Sequence, residues 1–227
     1  MTRHAKTAIE AGKPIIAVNP GGFAPPVVDA VAAHGADCLF IDCERTAISL
    51  ESVPLLARAA QAHGLSAIVR SPSRDAAILT RYFDCGIDGL VLPQVESAQQ
   101  CLDLRAIARA ATRGREGTLL LIAQIESMEG HRRLDEIAGA PGIDLILVGP
   151  NDLAHSMGYL GDTSRPEVVA AVDEITQRLA ARGTPFGLPV TADTAAHWVG
   201  RGARFLYTSL DLLLKPSLAA LREASAT

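Results

Sequence analysis

Apolar runs of strand length recur along the chain and are separated by spans with helical periodicity. The pattern predicts eight strands, at residues 13–19, 38–42, 66–70, 89–93, 118–125, 144–148, 184–190 and 205–209. It predicts helices between them, at residues 25–34, 49–63, 74–85, 97–113, 129–138, 164–183, 194–200 and 216–226. The strands are apolar on both faces, which is typical of parallel strands covered by helices on both sides.

Eight strand–helix repeats predict an α/β fold, a (β/α)8 TIM barrel. We expect residues 1–227 to form a single domain, because no composition shift or Ser/Pro-rich segment marks a boundary. A doubly wound open sheet is the structural alternative.

Composition and charge narrow the class of protein. The net charge is −4 and the pI about 5.9, which argues against nucleic acid as the main partner. Four cysteines show no CxxC spacing, so we expect free thiols in a reducing compartment. The N-terminus lacks a secretory apolar region, and no run approaches the roughly 20 residues that span a bilayer. A cytoplasmic protein without a membrane partner is expected.

Polar side chains concentrate where the strands end, which is where barrel enzymes place their active sites. The set comprises Asn19, Asp42, Glu44, Arg45, Arg70, Gln94, Gln124, Glu126, Asp152, Thr191 and Ser209. Glu126 and Asp152 should enter one crevice, where carboxylate oxygens suit Mg²⁺ or Mn²⁺. The Arg70 guanidinium is suited to binding a substrate carboxylate or an enolate oxygen. A purely structural ion pair with Asp42 or Glu44 is the alternative for Arg70.

Other candidate groups carry weaker signals. Gly149, Pro150, Asn151 and Asp152 precede a short helical span, whose backbone N–H groups offer an anion site. His155 is conceivable as a metal ligand, and the other five histidines are expected on the surface. Cys43 has no evident histidine partner, so a thiol nucleophile is not expected. None of the three lysines ends a strand, which disfavours Schiff-base chemistry.

Several segments match one family in order along most of the chain: LFIDCE (39–44), IVRSPS (68–73), GIDGLVLPQVESAQQ (86–100), QIES (124–127) and LILVGPNDLAHSMG (145–158). With these segments the chain resembles the HpcH/HpaI class II aldolases, metal-dependent barrels that cleave or form 2-oxo-hydroxy acids through a pyruvate enolate. The resemblance implies small 2-oxo acid and aldehyde substrates. It also implies a divalent metal, with Co²⁺ a further candidate, and a homo-oligomer, a hexamer or trimer, in which the C-terminal helix packs on a neighbour.

The resemblance also implies roles for single residues. Glu126 and Asp152 match the metal ligands, and Arg70 matches the arginine that stabilises the enolate. Asp42 and Glu44 match acidic residues near metal-bound waters. The remaining matches line the pyruvate pocket: Gln124, and the turn Gly149, Pro150, Asn151 and Asp152, whose backbone receives the carboxylate. Ser209, at the end of the last strand, is a further candidate for substrate binding.

Two departures from the family pattern concern the pocket. The family reads Asp-x-Glu-His after the second strand, with the histidine as acid/base partner, whereas this chain has Arg45 there. An arginine does not exchange protons near neutral pH, so Arg45 is instead suited to binding a distal carboxylate, a phosphate or an anionic aldehyde-side group. The glycine-rich insertion of familiar members is reduced here to RAATRGREG (109–117), which predicts a pocket that is more open or differently walled.

The favoured hypothesis is therefore a metal-dependent carbon–carbon lyase, an aldolase acting on 2-oxo-hydroxy acids. Decarboxylation of a 2-oxo diacid such as oxaloacetate is the second hypothesis, since it needs less from an acid/base at position 45. A CoA-ester lyase is the third. A non-catalytic barrel is the alternative from another class, and Arg45 is the feature in its favour.

Overall fold

A computed structural model describes residues 5–225, and its eight parallel strands close into a barrel in chain order. The strands are β1 Ile15–Asn19, β2 Cys38–Asp42, β3 Ser66–Arg70, β4 Gly89–Leu92, β5 Leu120–Ile125, β6 Leu145–Val148, β7 Phe186–Pro189 and β8 Ala203–Ser209. Strand β1 pairs with β8, with Ala17 opposite Tyr207. This pairing leaves no open edge, so the barrel prediction is confirmed and the open sheet is wrong.

Helix α1 precedes β1, and its Ala5 and Ile9 pack with residues inside the barrel, whereas the other helices follow strands and cover the outside. They are α1 Ala5–Glu10, α2 Pro25–Ala33, α3 Val53–Ala62, α4 Ala76–Asp84, α5 Ala98–Ala111, α6 Met128–Arg132, α7 Leu134–Ala138, α8 Pro150–Ser156, α9 Pro166–Arg182, α10 Ala192–Gly200 and α11 Leu210–Ser225. None of the helices between residues 5 and 225 is both long enough and apolar enough to cross a membrane.

Local sequence signals explain where several helices begin and end. The Asp75 carboxylate accepts hydrogen bonds from two N–H groups of the first turn of α4. Ser97 and Gln100 form a reciprocal capping box at the start of α5. Helix α9 begins with Pro166 and stops at Gly183, whose φ of +70° is costly for any residue with a Cβ atom.

Three helix predictions differ from the structure. The predicted span 129–138 is two short helices, α6 and α7, interrupted at Arg133. Helix α11 begins at Leu210 and runs through Pro216, which was expected to start it. Helix α1 was not predicted, because six residues with two buried positions carry little periodic signal.

The interior of the barrel places the polar residues of the site. Side chains two residues apart point to the same face of a strand, so each strand sends alternate residues inward. A buried cluster inside the barrel contains Ala17, Phe40, Ile68, Val91, Ile122, Leu147 and Phe205. Two residues further along their strands come Asn19, Asp42, Arg70 and Gln124. The apolar interior therefore ends in a polar layer at the carboxyl end of the barrel.

The histidine and cysteine predictions are largely confirmed. All four cysteines are free thiols, and His34, His63 and His197 are exposed. His4 lies outside the described residues. The surface prediction is wrong for His131, which is only 9% exposed. Its Nε2 lies 3.4 Å from Glu174 Oε1 of α9, the helix that follows in the chain and covers it.

Candidate active site

A cavity of about 260 Å³ opens at the carboxyl ends of the strands. It is lined by Phe40, Arg45, Arg70, Gln124, Glu126, Leu147, Val148, Gly149, Pro150, Asn151, Asp152, Pro189 and Tyr207. Eight of these residues were predicted from the sequence, namely Arg45, Arg70, Gln124, Glu126 and the four residues of the Gly149–Asp152 turn. The lining residues come from β2, β3, β5, β6, β7 and β8 and from the start of α8, so the cavity lies where a TIM barrel carries its active site.

Arg70 is held rigidly on one side of the cavity. It is the register partner of Asp42 on the adjacent strand, and both side chains point to the barrel interior. Arg70 Nε donates to Asp42 Oδ1 at 2.9 Å, and Nη2 donates to Oδ2 at 2.6 Å. Glu44 Oε2 lies 3.1 Å from the same Nε. Burial alone would lower the pKa of Arg70, but the hydrogen bonds and charge of Asp42 raise it, so the guanidinium stays charged.

Asp42 also organises the turn that follows β2. Its Oδ1 accepts hydrogen bonds from the backbone N–H groups of Glu44 and Arg45, each at 3.2 Å. Asn19 Nδ2 donates to Asp42 Oδ2 at 3.2 Å and to the Tyr207 hydroxyl at 2.9 Å. Asp42 does not line the cavity, but its hydrogen bonds hold Arg45 and Arg70, which do.

Glu126 is a buried carboxyl group directly after β5, only 2% exposed. Its Oε1 accepts from the backbone N–H of Gln94 at 2.8 Å, and its Oε2 accepts from Gln124 Nε2 at 2.5 Å. Burial, opposed in part by the Gln94 hydrogen bond, raises the pKa of Glu126 to about 8. No arginine or lysine of the described chain forms an ion pair with it. Glu126 therefore keeps its proton near neutral pH, because its ionised form has no cationic partner in the described chain.

Asp152 lies in the first turn of α8 and forms an ion pair with Arg45. Arg45 Nη2 donates to Asp152 Oδ1. Hydrogen bonding and charge from Asp152 raise the pKa of Arg45, so this side chain is a permanent cation at the rim. Position 45, where the resemblance leads us to expect a histidine, is thus an arginine that pairs with Asp152, one of the two predicted metal ligands.

The donor set fits a hard divalent cation. Glu126 and Asp152 contribute carboxylates to the same cavity, and Gln124 Oε1 is a buried acceptor without a hydrogen-bond partner. Within residues 5–225, no three His, Cys, Asp or Glu side chains converge on one point. Mg²⁺ and similar ions are commonly held by one or two carboxylates, with water and substrate completing the shell. Two carboxylates and an amide oxygen are sufficient for that mode of binding.

Gly149 is required for the close approach of two elements. A Cβ atom there would lie 2.8 Å from Glu126 Oε2 and 3.0 Å from Gln124 Nε2. The backbone between β6 and α8 can therefore pass directly over the Glu126 carboxylate only without a side chain. The sequence run Gly149–Asp152 thus brings the start of α8 against the end of β5.

Six residues of the strand-end set lie outside the cavity lining, and some lining residues were missed. Four of the six contact residues that line it: Asn19, Asp42, Glu44 and Gln94. The other two lie at helix starts, where Thr191 N donates to Thr194 Oγ1 at 2.9 Å and Ser209 Oγ accepts a hydrogen bond from Leu212 N at 3.3 Å. Tyr207 was not predicted because it lies two residues before the end of β8, whereas the predicted residues lie at or beyond the strand ends. Its signal was the alternation with buried Phe205, which predicts an inward side chain.

Cys43 is a buried thiol that does not line the cavity. Its thiol is buried beside Tyr82, and burial raises its pKa to about 11, so it is not a thiolate near neutral pH. This agrees with the expectation from the sequence that no cysteine nucleophile operates here.

Comparisons with known proteins agree on one family. The family model described as HpcH/HpaI aldolase/citrate lyase matches residues 20–214. The pyruvate aldolase of Rhizobium etli is 30% identical over 93% of this chain and 92% of its own. The hydroxypyruvate/pyruvate aldolase of Deinococcus radiodurans is 30% identical over 92% and 84%. A crystal structure of an HpcH/HpaI aldolase/citrate lyase family protein from Burkholderia cenocepacia superposes with a TM-score of 0.87, at 26% identity over 99% of this chain and 100% of that one.

Proposed function

The chain belongs to the HpcH/HpaI aldolase/citrate lyase family and is an aldolase-like carbon–carbon lyase, and on that premise we propose that it cleaves or forms 2-oxo-hydroxy acids with the help of a divalent cation. The observation that carries the proposal is the buried Glu126 carboxylate, which shares a cavity with Asp152 and Arg70 but has no cationic partner of its own. A divalent cation would supply the positive charge that the ionised form of Glu126 lacks, so the site is suited to receiving one.

Glu126 and Asp152 would hold the cation, with Gln124 Oε1 as a neighbouring acceptor. Mg²⁺, Mn²⁺ or Co²⁺ would supply Lewis acidity toward the 2-oxo and carboxylate oxygens of the substrate. The start of α8, from Gly149 to Asn151, borders the same space and is proposed to receive the pyruvyl carboxylate.

Arg70 is proposed to stabilise the negative charge that develops on the enolate oxygen. Asp42 holds the guanidinium through two hydrogen bonds, so the charge is in place before the reaction begins. Preorganised donors of this kind need no rearrangement as the charge forms. Asp42 is therefore a positioning residue, and Arg70 is the residue that meets the substrate.

Proton transfer is proposed to use Glu44, through an intervening water. Both oxygens of Asp42 already accept hydrogen bonds from Arg70, and Arg45 does not release a proton near neutral pH. Glu44 contacts Arg70 through one oxygen, Oε2, rather than through both. It is half-buried, and burial raises its pKa from the ordinary range, which brings it closer to that of an effective general base. This assignment gives the chain a route that does not need the family histidine.

The deciding experiment measures pyruvate release from a 4-hydroxy-2-oxo acid with added Mg²⁺ or Mn²⁺ and after treatment with EDTA. We expect activity only with the cation, and none in Glu126→Gln. Glu129→Gln is the matched control, since Glu129 is partly exposed and pairs with Arg132 at the surface. Full activity in EDTA, or in Glu126→Gln, would contradict the proposed use of a cation at this site.

A second candidate activity is decarboxylation of a 2-oxo diacid such as oxaloacetate. The Arg45 guanidinium at the cavity rim favours it, because that reaction does not require a proton acceptor at this position. Oxaloacetate turnover and aldehyde condensation should be measured side by side. Faster decarboxylation, together with new aldol activity in Arg45→His, would favour this candidate.

A homo-oligomer, a trimer or hexamer, is proposed as the assembled state. Helix α11 has no buried residue, and Leu213, Leu214, Leu218 and Leu221 are all exposed. Apolar side chains in such a group favour contact with another subunit.

A further inference from the structure

Arg45 is in a different state from the other guanidinium of the cavity. Arg70 is 12% exposed and contacts both Asp42 and Glu44, whereas the Arg45 side chain is 52% exposed. Within the described chain, the only side chain that the Arg45 guanidinium contacts is Asp152, through a single nitrogen. Its other N–H donors have no protein acceptor there, so Arg45 retains most of its capacity to bind an anion.

The partner of Arg45 is one of the two proposed cation ligands. A guanidinium and a divalent cation would compete for the same carboxylate, and like charges at this distance repel each other. A cation bound to Asp152 therefore weakens the Arg45–Asp152 ion pair. The Arg45 side chain is long and lies at the rim of the cavity, so its guanidinium can then move to another anion. We propose that a cation on Asp152 releases Arg45 to bind a second carboxylate on the substrate, so that the cation and a dicarboxylate 2-oxo acid bind cooperatively.

The surroundings of Arg45 determine which anion it meets. Phe40, Pro189 and Tyr207 supply uncharged walls to the cavity, and Arg70 is already engaged with two carboxylates. A substrate carboxylate beyond the reacting carbons would therefore find Arg45 as the available cation. Coupling between two ligands is reciprocal, so the dicarboxylate must tighten cation binding by the same factor. The inference rests on the proposed cation site and adds a specificity determinant to it.

The first test is a calorimetric titration of Mn²⁺ into the wild-type protein and Arg45→Gln. The variant should bind Mn²⁺ about tenfold more tightly, because Asp152 no longer has a competing partner. Arg81→Gln is the matched control: it removes the same charge and an arginine–carboxylate ion pair, with Glu51, outside the cavity lining. The gain should persist in about 0.5 M salt, because salt screens long-range charge effects but not a direct competition for one carboxylate. An equal gain in Arg81→Gln would overturn the release of Arg45.

The second test compares two five-carbon probes on the Mn²⁺-loaded protein, 2-oxoglutarate and 2-oxopentanoate, which differ only in the distal carboxylate. The wild-type protein should bind 2-oxoglutarate about tenfold more tightly, and Arg45→Gln should bind both alike. The same preference in both proteins would overturn the role of Arg45 while leaving the proposed function intact. Absence of Mn²⁺ binding by every protein would overturn the proposed function and this inference together.

Discussion

Arg70 binds both carboxylate oxygens of Asp42, its register partner on the adjacent strand, at 2.9 Å and 2.6 Å. Two parallel hydrogen bonds define the plane and the direction of the guanidinium, which a single contact cannot do. The pair is almost fully buried, so exchange with water is restricted. The charge that faces the cavity is therefore fixed in both position and orientation.

Arg70→Lys should lower kcat about 10²- to 10³-fold, the typical loss when a preorganised charge stabiliser is removed. Lysine keeps the charge but cannot make the paired hydrogen bonds to Asp42. Arg81→Lys is the control, because Arg81 lies on α4 outside the cavity lining and makes a surface ion pair with Glu51. Steady-state kinetics on a 2-oxo-hydroxy acid gives the result. A kcat within threefold of wild type, on the order of assay scatter, would argue against the role of Arg70.

Glu126 should make the cation-free protein less stable as the pH rises from about 4.5 to about 8. Over that interval the folded protein keeps the proton on Glu126 while the unfolded chain loses it, so the free energy of unfolding falls with pH. Glu126→Gln has no proton to lose at this position. The Tm of Glu126→Gln minus the Tm of the wild-type protein should therefore increase with pH.

Thermal melts from pH 5 to pH 9 in EDTA measure that difference. Added Mn²⁺ should raise the Tm of the wild-type protein at pH 8 and leave Glu126→Gln nearly unchanged, because ligands stabilise only the state that binds them. A Tm difference that stays constant with pH would mean that Glu126 is already ionised in the folded protein.

Gly149→Ala should displace Glu126 and weaken Mn²⁺ binding. The new methyl group would lie 2.8 Å from Glu126 Oε2, well inside van der Waals contact. Overpacking of this kind costs about 1–3 kcal/mol in the free energy of unfolding. Gly117→Ala is the control, because a Cβ atom at that position meets nothing within 4 Å. Denaturation and Mn²⁺ titration of both variants test the prediction, which fails if the two behave alike.

Leu214→Glu and Leu218→Glu should reduce the oligomeric mass without unfolding the barrel. These side chains lie four residues apart on one face of α11 and are 50% and 54% exposed. Charges on that face would oppose its burial against another subunit. Light scattering after gel filtration gives the mass. Leu160→Glu, at a residue 87% exposed and outside α11, should leave it unchanged. A monomeric wild-type protein would exclude this assembly.

The amino-acid sequence was sufficient to predict the barrel and most of its cavity. Buried strands must be apolar on both faces, and a helix must follow each parallel strand, so both leave periodic patterns that local reasoning detects. Strand β3 was predicted at its observed bounds, Ser66–Arg70, and the polar residue that ends it lines the cavity. The Gly149–Asp152 turn was found in the same way, because its residue types differ sharply from the apolar run before it.

The tertiary structure alone decided which of these groups contact each other. Closure depends on β1 meeting β8, and the Arg45–Asp152 ion pair joins residues 107 positions apart, so neither has a local signature. Register decided that Tyr207 lines the cavity while Ser209 caps α11. Burial decided that Glu126 holds its proton to a higher pH than an exposed carboxyl group. Residue type and periodicity are local properties of a chain, whereas pairing and desolvation arise only when distant segments pack together.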